Sequence, residues 1–118
     1  MAYPMPMTEV ALAAARQALV DHANAVFSME PSSGVTFEAF EDGGMGSFKV
    51  LPQPAVKDVE GRTGEWGYTD LDGMGVLISV FSRDGRHVSS FDFWRYDFEP
   101  LKAFPEPNDL APVDRTRA

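Results

Sequence analysis

The sequence predicts an α+β domain in which one N-terminal helix packs on a single antiparallel sheet of about five strands, a two-layer sandwich. Three observations support this fold class. An alanine-rich stretch without Gly or Pro runs from Glu9 to Met29, and Asp-Gly pairs at residues 42, 72 and 84 separate runs of aromatic and β-branched residues. No internal repeat, heptad or low-complexity run is present. Because Asp-Gly favours tight hairpin turns, the runs are expected to pair as antiparallel neighbours.

The first element is a helix that begins after Thr8 and continues to Met29. Thr8 is a suitable N-cap, and Glu9 in the first turn complements the helix dipole. Pro31 ends the helix because it cannot continue the hydrogen-bond ladder. Arg16 belongs to the side that is expected to face water. Apolar side chains at helical spacing predict the stripe that packs on the sheet: Leu12, Ala15, Leu19, His22 or Ala23, and Val26.

Strands are predicted next. Residues 35–41 and 45–51 flank the turn at Asp42-Gly43-Gly44 and predict a first hairpin. Residues 52–63 are rich in Pro, Lys, Asp, Glu and Gly and predict a polar connection. The segment from Trp66 to Trp94 predicts a three-stranded meander around the other two Asp-Gly turns.

The register of the meander follows if both of its turns are two-residue loops, because strand side chains alternate between two faces. One face then forms the core, with Thr69 from the first strand and the apolar residues Val76, Ile78, Val80, Phe91 and Phe93. The opposite face is mixed aromatic and acidic. It sets Tyr68 across from Leu77 and Trp66 across from Ser79, with Trp94 covering Gly75.

Residues 1–104 are predicted to form one domain and residues 105–118 a C-terminal tail. The tail holds three prolines and almost no apolar bulk, which is typical of a segment without a core of its own. No secretion signal and no membrane-spanning stretch is recognised in the 118 residues, so a cytoplasmic location is expected.

The amino-acid composition disfavours or excludes several classes of function. The chain has 18 acidic against 10 basic residues, a net charge of -8, which works against nucleic-acid binding and favours a basic partner or simply solubility. The absence of cysteine excludes disulfides, cysteine-based zinc sites and thiol catalysis. A homodimer is compatible with these features.

Catalytic and metal-binding patterns are lacking. The only two histidines are His22, beside the apolar stripe of the helix, and His87, after a turn; both positions are typical of structural histidines. The start of a calcium loop at Asp70 to Gly73 lacks the closing glutamate. The carboxylates of Asp70, Asp92 and Asp97 are expected on an open sheet rather than in a cleft. We therefore predict no catalytic residue, no metal site and no cofactor.

The mixed face of the meander is the candidate binding surface. Large aromatic side chains ringed by acidic ones suit a protein interface. The predicted partner-binding residues are Trp66, Tyr68, Asp70, Asp92, Trp94, Tyr96 and Asp97. In the alternative, the first hairpin or the terminal arms cover these aromatic side chains and turn them into a second small core.

The segment from Gly75 to Pro105 contains an apolar strand, the Asp84-Gly85 turn and then three short patterns: Asp92-Phe93-Trp94, Asp97-Phe98-Glu99-Pro100-Leu101 and Phe104-Pro105. In this order the segment resembles the C-terminal part of a group of small uncharacterised bacterial single-domain proteins, which look like immunity proteins of toxin systems. The resemblance implies an interaction protein that neutralises a cognate toxin by binding it. It carries over no contact residue.

Two functional hypotheses result. In the first, the chain is a non-enzymatic acidic binding protein, an immunity protein that docks a basic toxin domain such as a nuclease. In the second, it is a small-ligand-binding or enzymatic α+β domain with an aromatic-lined pocket, whose polar group is Asp92 or His87. An exposed aromatic and acidic face favours the first hypothesis, and a buried pocket holding Asp92 or His87 favours the second.

Overall fold

The computed structural model describes residues 2–31, 34–53 and 61–113. It contains one α-helix, α1 (Glu9–Val26), a short 3-10 helix (Pro107–Asp109), and eight strands: β1 (Tyr3–Pro4), β2 (Thr36–Ala39), β3 (Phe48–Leu51), β4 (Gly61–Thr69), β5 (Gly75–Ser82), β6 (Ser90–Arg95), β7 (Ala103–Phe104) and β8 (Ala111–Pro112). The main sheet is antiparallel with the order β2-β3-β6-β5-β4-β8, and β1 pairs with β7 in a second sheet. The predicted α+β class is confirmed, with six strands in the main sheet rather than about five.

The helix begins as the sequence predicts. The hydroxyl of Thr8 accepts a hydrogen bond from the N–H of Ala11 over 3.2 Å, which satisfies one of the free donors of the first turn. The buried side chains of the helix are Ala15, Leu19, Val20 and Ala23. Val26, predicted on this stripe, is exposed. Phe27 packs on the sheet instead, with its ring stacked on that of Trp66 at 5.5 Å.

The first hairpin forms as predicted, and β2 pairs with β3. The carboxylate of Asp42 organises its turn by accepting hydrogen bonds from the N–H groups of Met45 and Ser47, each over 3.0 Å. Phe48 from β3 is fully buried at the centre of the core. Most of the predicted connection over residues 52–63 lies outside the described residues, although β4 already begins at Gly61.

The turn between β4 and β5 holds three residues, Leu71-Asp72-Gly73, where the sequence predicts two. The N–H of Asp70 donates to the carbonyl oxygen of Met74 over 2.8 Å and closes the loop. Gly73 has a φ of 87°, the left-handed conformation that a three-residue hairpin loop requires at one position and that Gly adopts readily. The additional loop residue shifts the pairing of β4 with β5 by one position.

This shift moves the side chains of residues 65–69 to the other face of the sheet. Trp66 pairs with Ile78 and Tyr68 with Val76, each one position away from the predicted partner. Trp66 and Tyr68 are consequently buried in the core, and their predicted place on the mixed face is wrong. Thr69, predicted in the core, is exposed on the opposite face.

The core face of the other two meander strands agrees with the sequence prediction, since the following residues are all buried: Val76, Ile78, Val80, Phe91 and Phe93. The loop between these strands is longer than two residues, because the Asp84 carboxylate accepts hydrogen bonds from the N–H groups of Arg86 and His87. The pairing therefore shifts by two positions, which leaves the faces unchanged. Trp94 lies opposite Leu77 rather than opposite Gly75.

The predicted C-terminal tail is described as far as residue 113. Pro105 is buried, and β8 pairs with β4 through Trp66 with Pro112 and Gly67 with Ala111. The described part of the tail thus lies on the domain and covers a short length of the β4 edge. Among the described residues, no helix is long and apolar enough to cross a membrane.

Candidate functional site: the open face of the sheet

The main sheet has a helix face, which α1 covers, and an open face on the other side. Helix α1 packs on the helix face, where His22 lies 5.1 Å from the ring of Trp66. Four large aromatic side chains of the open face are exposed to solvent: Phe40 by 44 %, Trp94 by 48 %, Tyr96 by 59 % and Phe98 by 61 %. In the part of the chain that the structure describes, no helix lies over them.

Three of these aromatic residues, Trp94, Tyr96 and Phe98, lie at or just after the end of β6. Trp94 contacts Phe98, with ring centroids 5.3 Å apart. Tyr96 covers the backbone of Gly75, where an added Cβ would lie 2.7 Å from the Tyr96 ring. Phe98 has a φ of 61°, an unusual backbone conformation for a bulky residue that the surrounding structure must hold in place. The N–H of Phe98 donates to the carbonyl oxygen of Arg95 over 2.9 Å.

Asp92 stands in a pocket of about 250 Å³ on the open face, which it lines with Phe40, Phe81 and Ser90. Burial raises the pKa of Asp92, a hydrogen bond from the Ser47 hydroxyl opposes this rise, and the nearby Asp42 carboxylate adds to it. A carboxylate in a pocket that aromatic side chains also line attracts cations, through charge and through the ring faces.

The charge of the open face is negative. Among its strand residues whose side chains the structure describes, the acidic ones are Glu38, Glu65 and Asp92, and the basic one is Lys49. Lys49 is paired with Glu38 over 2.7 Å, and its Nζ atom lies 5.9 Å from the centre of the Phe40 ring. The positive charge of Lys49 is therefore already neutralised by a carboxylate.

Directly behind the exposed aromatic side chains lies a buried guanidinium, that of Arg95, which is 1 % exposed. Its five N–H donors all have carboxylate partners. The Nη1 atom lies 2.7 Å from a carboxylate oxygen of Asp70 and 2.8 Å from one of Asp72. The Nη2 atom lies 2.5 Å from the other oxygen of Asp72 and 2.9 Å from an oxygen of Asp97. The Nε atom lies 2.8 Å from the remaining oxygen of Asp97.

This cluster ties the β4–β5 turn to the end of β6. The hydrogen bonds from Arg95 hold the pKa values of Asp72 and Asp97 below their usual range, so both carboxylates are ionised at neutral pH. Asp70 also accepts a hydrogen bond from the backbone N–H of Lys102 over 2.9 Å. Tyr96 and Phe98 lie within three residues of Arg95, so the cluster anchors the backbone next to these two residues.

The structure does not bring the seven predicted site residues together. Asp92, Trp94 and Tyr96 share the open face, while Asp70 and Asp97 pair with Arg95. The remaining two, Trp66 and Tyr68, belong to the core. The Tyr68 hydroxyl donates to the carbonyl oxygen of Ala103 over 3.0 Å, and burial raises its pKa.

Sequence reasoning missed Phe40, Phe98 and Arg95. The even spacing of Trp94, Tyr96 and Phe98 is the signal that would have placed all three side chains on one face of an extended chain. No comparable signal points to Arg95, because two of its carboxylate partners come from the β4–β5 turn, more than 20 residues earlier in the chain.

Both histidines contact other side chains of the domain. His87 lies 2.8 Å from Asp84 through Nδ1 and 3.4 Å from Glu30 through Nε2, and His22 packs on Trp66. Within residues 2–31, 34–53 and 61–113, no group of three or more His, Asp or Glu side chains could hold a metal ion.

Comparison with known proteins gives one match. The model of a family described as a domain of unknown function (DUF6984) matches residues 8–105, which include α1, the six strands from β2 to β7 and all the open-face residues named above. No curated protein and no solved structure matches the chain significantly.

Proposed function

The chain belongs to the DUF6984 family of domains of unknown function, and we propose that it is a non-enzymatic binding protein whose open face docks a basic protein partner. The observation that carries this proposal is the group of exposed aromatic side chains on a sheet face that no described helix covers. The sheet supplies a rigid platform, which is the arrangement that precise binding sites need.

The aromatic side chains supply the apolar part of the interface. Large exposed apolar patches are uncommon on monomeric proteins and mark interaction sites. Trp and Tyr are enriched among the few residues that carry most of the binding energy. Trp94 and Tyr96 therefore act as the anchors, with Phe40 and Phe98 beside them.

The charges select the partner. A net charge of -8 steers a basic protein toward the chain and repels an acidic one. The Asp92 pocket, with Phe40 and Phe81 as its walls, suits one lysine or arginine side chain of that partner. A second copy of the chain fits less well, because two acidic faces would oppose each other.

The resemblance of residues 75–105 to immunity proteins supports a finer proposal. The partner is a toxin domain, such as a nuclease whose basic surface holds nucleic acid, and the chain neutralises it in the cytoplasm by covering that surface. The acidic open face is complementary to such a surface.

A small-ligand or enzymatic domain is the weaker hypothesis. The Asp92 pocket of about 250 Å³ is smaller than the roughly 300–1,000 Å³ of typical ligand sites. His87, the other polar group proposed for such a pocket, is engaged by Asp84 and Glu30.

The proposal is tested with immobilised protein in a lysate of the organism that encodes it. The test variant carries Trp94→Ala and Asp92→Lys on the open face. The control carries Val10→Ala and Asp21→Lys, the same change of charge at exposed positions of α1. The retained protein is identified by mass spectrometry, purified and titrated calorimetrically against wild type and both variants.

We expect wild type and control to bind one basic protein with affinities within about threefold of each other. The open-face variant should bind it at least about 30-fold more weakly, because truncating an interface anchor costs about 2 kcal/mol or more. Equal affinities of the two variants, both folded by circular dichroism, would show that the open face is not the interface. For the toxin role, expression of the retained protein alone should stop growth, and co-expression of the chain should restore it.

A further inference from the structure

A groove of about 530 Å³ lies between α1 and β2, on the helix face at the free edge of the main sheet. Its walls are mostly apolar, and its apolar lining residues are Leu12, Ala13, Val35, Phe37 and Ala39. The volume is within the range of sites that bind small molecules. The groove is separate from the open face and takes no part in the proposed docking of a protein.

Arg16 provides the groove with its one cation. The sequence predicts this side chain on the water-facing side of the helix, but its guanidinium lies over the Phe48 ring, 5.2 Å from the centroid. Burial lowers the pKa of Arg16, although an arginine side chain stays charged at neutral pH.

The Nε atom of Arg16 is buried and has no hydrogen-bond partner in the described part of the chain. Glu9 also lines the groove, yet no ion pair of Arg16 occurs among the described residues. A buried donor without an acceptor is rare and costly in a native protein. The groove therefore presents an unpaired cation beside an apolar surface.

We propose that this groove binds a monocarboxylate with an apolar chain. The carboxylate accepts hydrogen bonds from the two terminal nitrogens of Arg16, a paired geometry that suits a planar guanidinium. The chain of the ligand lies against Leu12, Val35 and Phe37. A singly charged head group fits better than a phosphate, because Glu9 stands at the same groove and the protein is strongly acidic.

Octanoate is the probe for this site, with octan-1-ol and acetate as matched controls that lack the carboxylate or the chain. Binding is followed by the amide ¹H–¹⁵N NMR shifts of Ala13, Val35 and Phe37 in wild type, Arg16→Gln and the surface control Arg86→Gln. Octanoate should give saturable shifts in wild type and Arg86→Gln. Wild type should bind octan-1-ol and acetate at least about tenfold more weakly than octanoate. The Arg16→Gln variant should bind octanoate at least about tenfold more weakly than wild type does, as expected when a hydrogen bond to a charged group is lost.

Absence of saturable octanoate shifts in wild type would overturn the proposal. Equal affinities for octanoate and octan-1-ol, or equal octanoate affinities of wild type and Arg16→Gln, would overturn it as well. Since Arg16 lies on the helix face, the Arg16→Gln variant should keep the affinity of wild type for the protein partner. The outcome for the groove is thus independent of the outcome for the open face.

Discussion

Replacing Arg95 with Met is expected to lower the free energy of unfolding at pH 7 by about 3–5 kcal/mol. The side chains of Arg95 and Asp70 are 2 % and 0 % exposed, and removing the guanidinium leaves a buried carboxylate without its counter-charge. Asp72 and Asp97 then face Asp70 as like charges. Urea unfolding, followed by circular dichroism, measures the change.

Arg86→Met is the matched control for this prediction. Arg86 pairs with Glu30 over 2.9 Å, but the two side chains are 67 % and 52 % exposed, and exposed ion pairs contribute at most about 1 kcal/mol. Similar losses in the Arg95 and Arg86 variants would show that the Arg95 cluster does not hold the β4–β5 turn to β6.

The difference between wild type and Arg95→Met should shrink as the pH falls. In wild type, Arg95 depresses the pKa values of Asp72 and Asp97, so their stabilising contribution is present above their unfolded pKa of about 3.9 and is lost as the pH falls through the folded values. In the variant, protonation removes the repulsion among the carboxylates. Urea series between neutral pH and about pH 3 test this, and a constant difference would contradict it.

Trp66→Ala should cost about 3–5 kcal/mol of unfolding free energy, whereas Trp94→Ala should cost less than about 1 kcal/mol. Trp66 is buried between Phe27 and Phe91, with ring centroids 5.5 and 6.3 Å away, and its truncation leaves a large cavity. Trp94 lies on the open face. These are the only two tryptophans of the chain, so they form a matched pair.

Urea unfolding of the two variants measures both losses, and acrylamide quenching of each remaining tryptophan reports its exposure. Trp66 alone should be shielded from the quencher, and Trp94 alone should be accessible. A loss of stability in Trp66→Ala as small as that in Trp94→Ala would mean that β4 pairs in the register of a two-residue turn, as the sequence alone predicts.

The sequence is sufficient for most of the helix, although α1 ends at Val26 rather than at Met29, and for the core face of β5 and β6, because both depend on the spacing of apolar residues. It is insufficient for β4, since Asp72-Gly73 suits either a two-residue or a three-residue loop. The choice depends on hydrogen bonds that exist only in the folded chain. Among them are the bond from the Asp70 N–H to the Met74 carbonyl oxygen and the bond from Arg95 to the Asp70 carboxylate. One residue of difference at this turn exchanges the two faces of β4.

Contacts that form only in the folded chain also limit how much of the open face and of the groove can be predicted from the sequence. Asp92, Trp94 and Tyr96 could be assigned to one face of the sheet because their alternate spacing along the chain fixes that face. The burial of Arg95 and the unpaired Nε atom of Arg16 could not be foreseen, because helical or strand periodicity does not reveal which charged side chains lack water or a partner. Both depend on the contacts of distant segments.

The central claim is that the open face contacts a protein partner, and hydroxyl-radical footprinting tests it most directly. The protein is oxidised alone and in complex with the basic protein expected from the lysate experiment, and the modified side chains are quantified by mass spectrometry. We expect Trp94, Tyr96 and Phe98 to be oxidised in the free protein and protected in the complex, with Trp66 unreactive in both. Equal oxidation of Trp94 and Tyr96 in the two states, with protection at the outer surface of α1 instead, would contradict the claim.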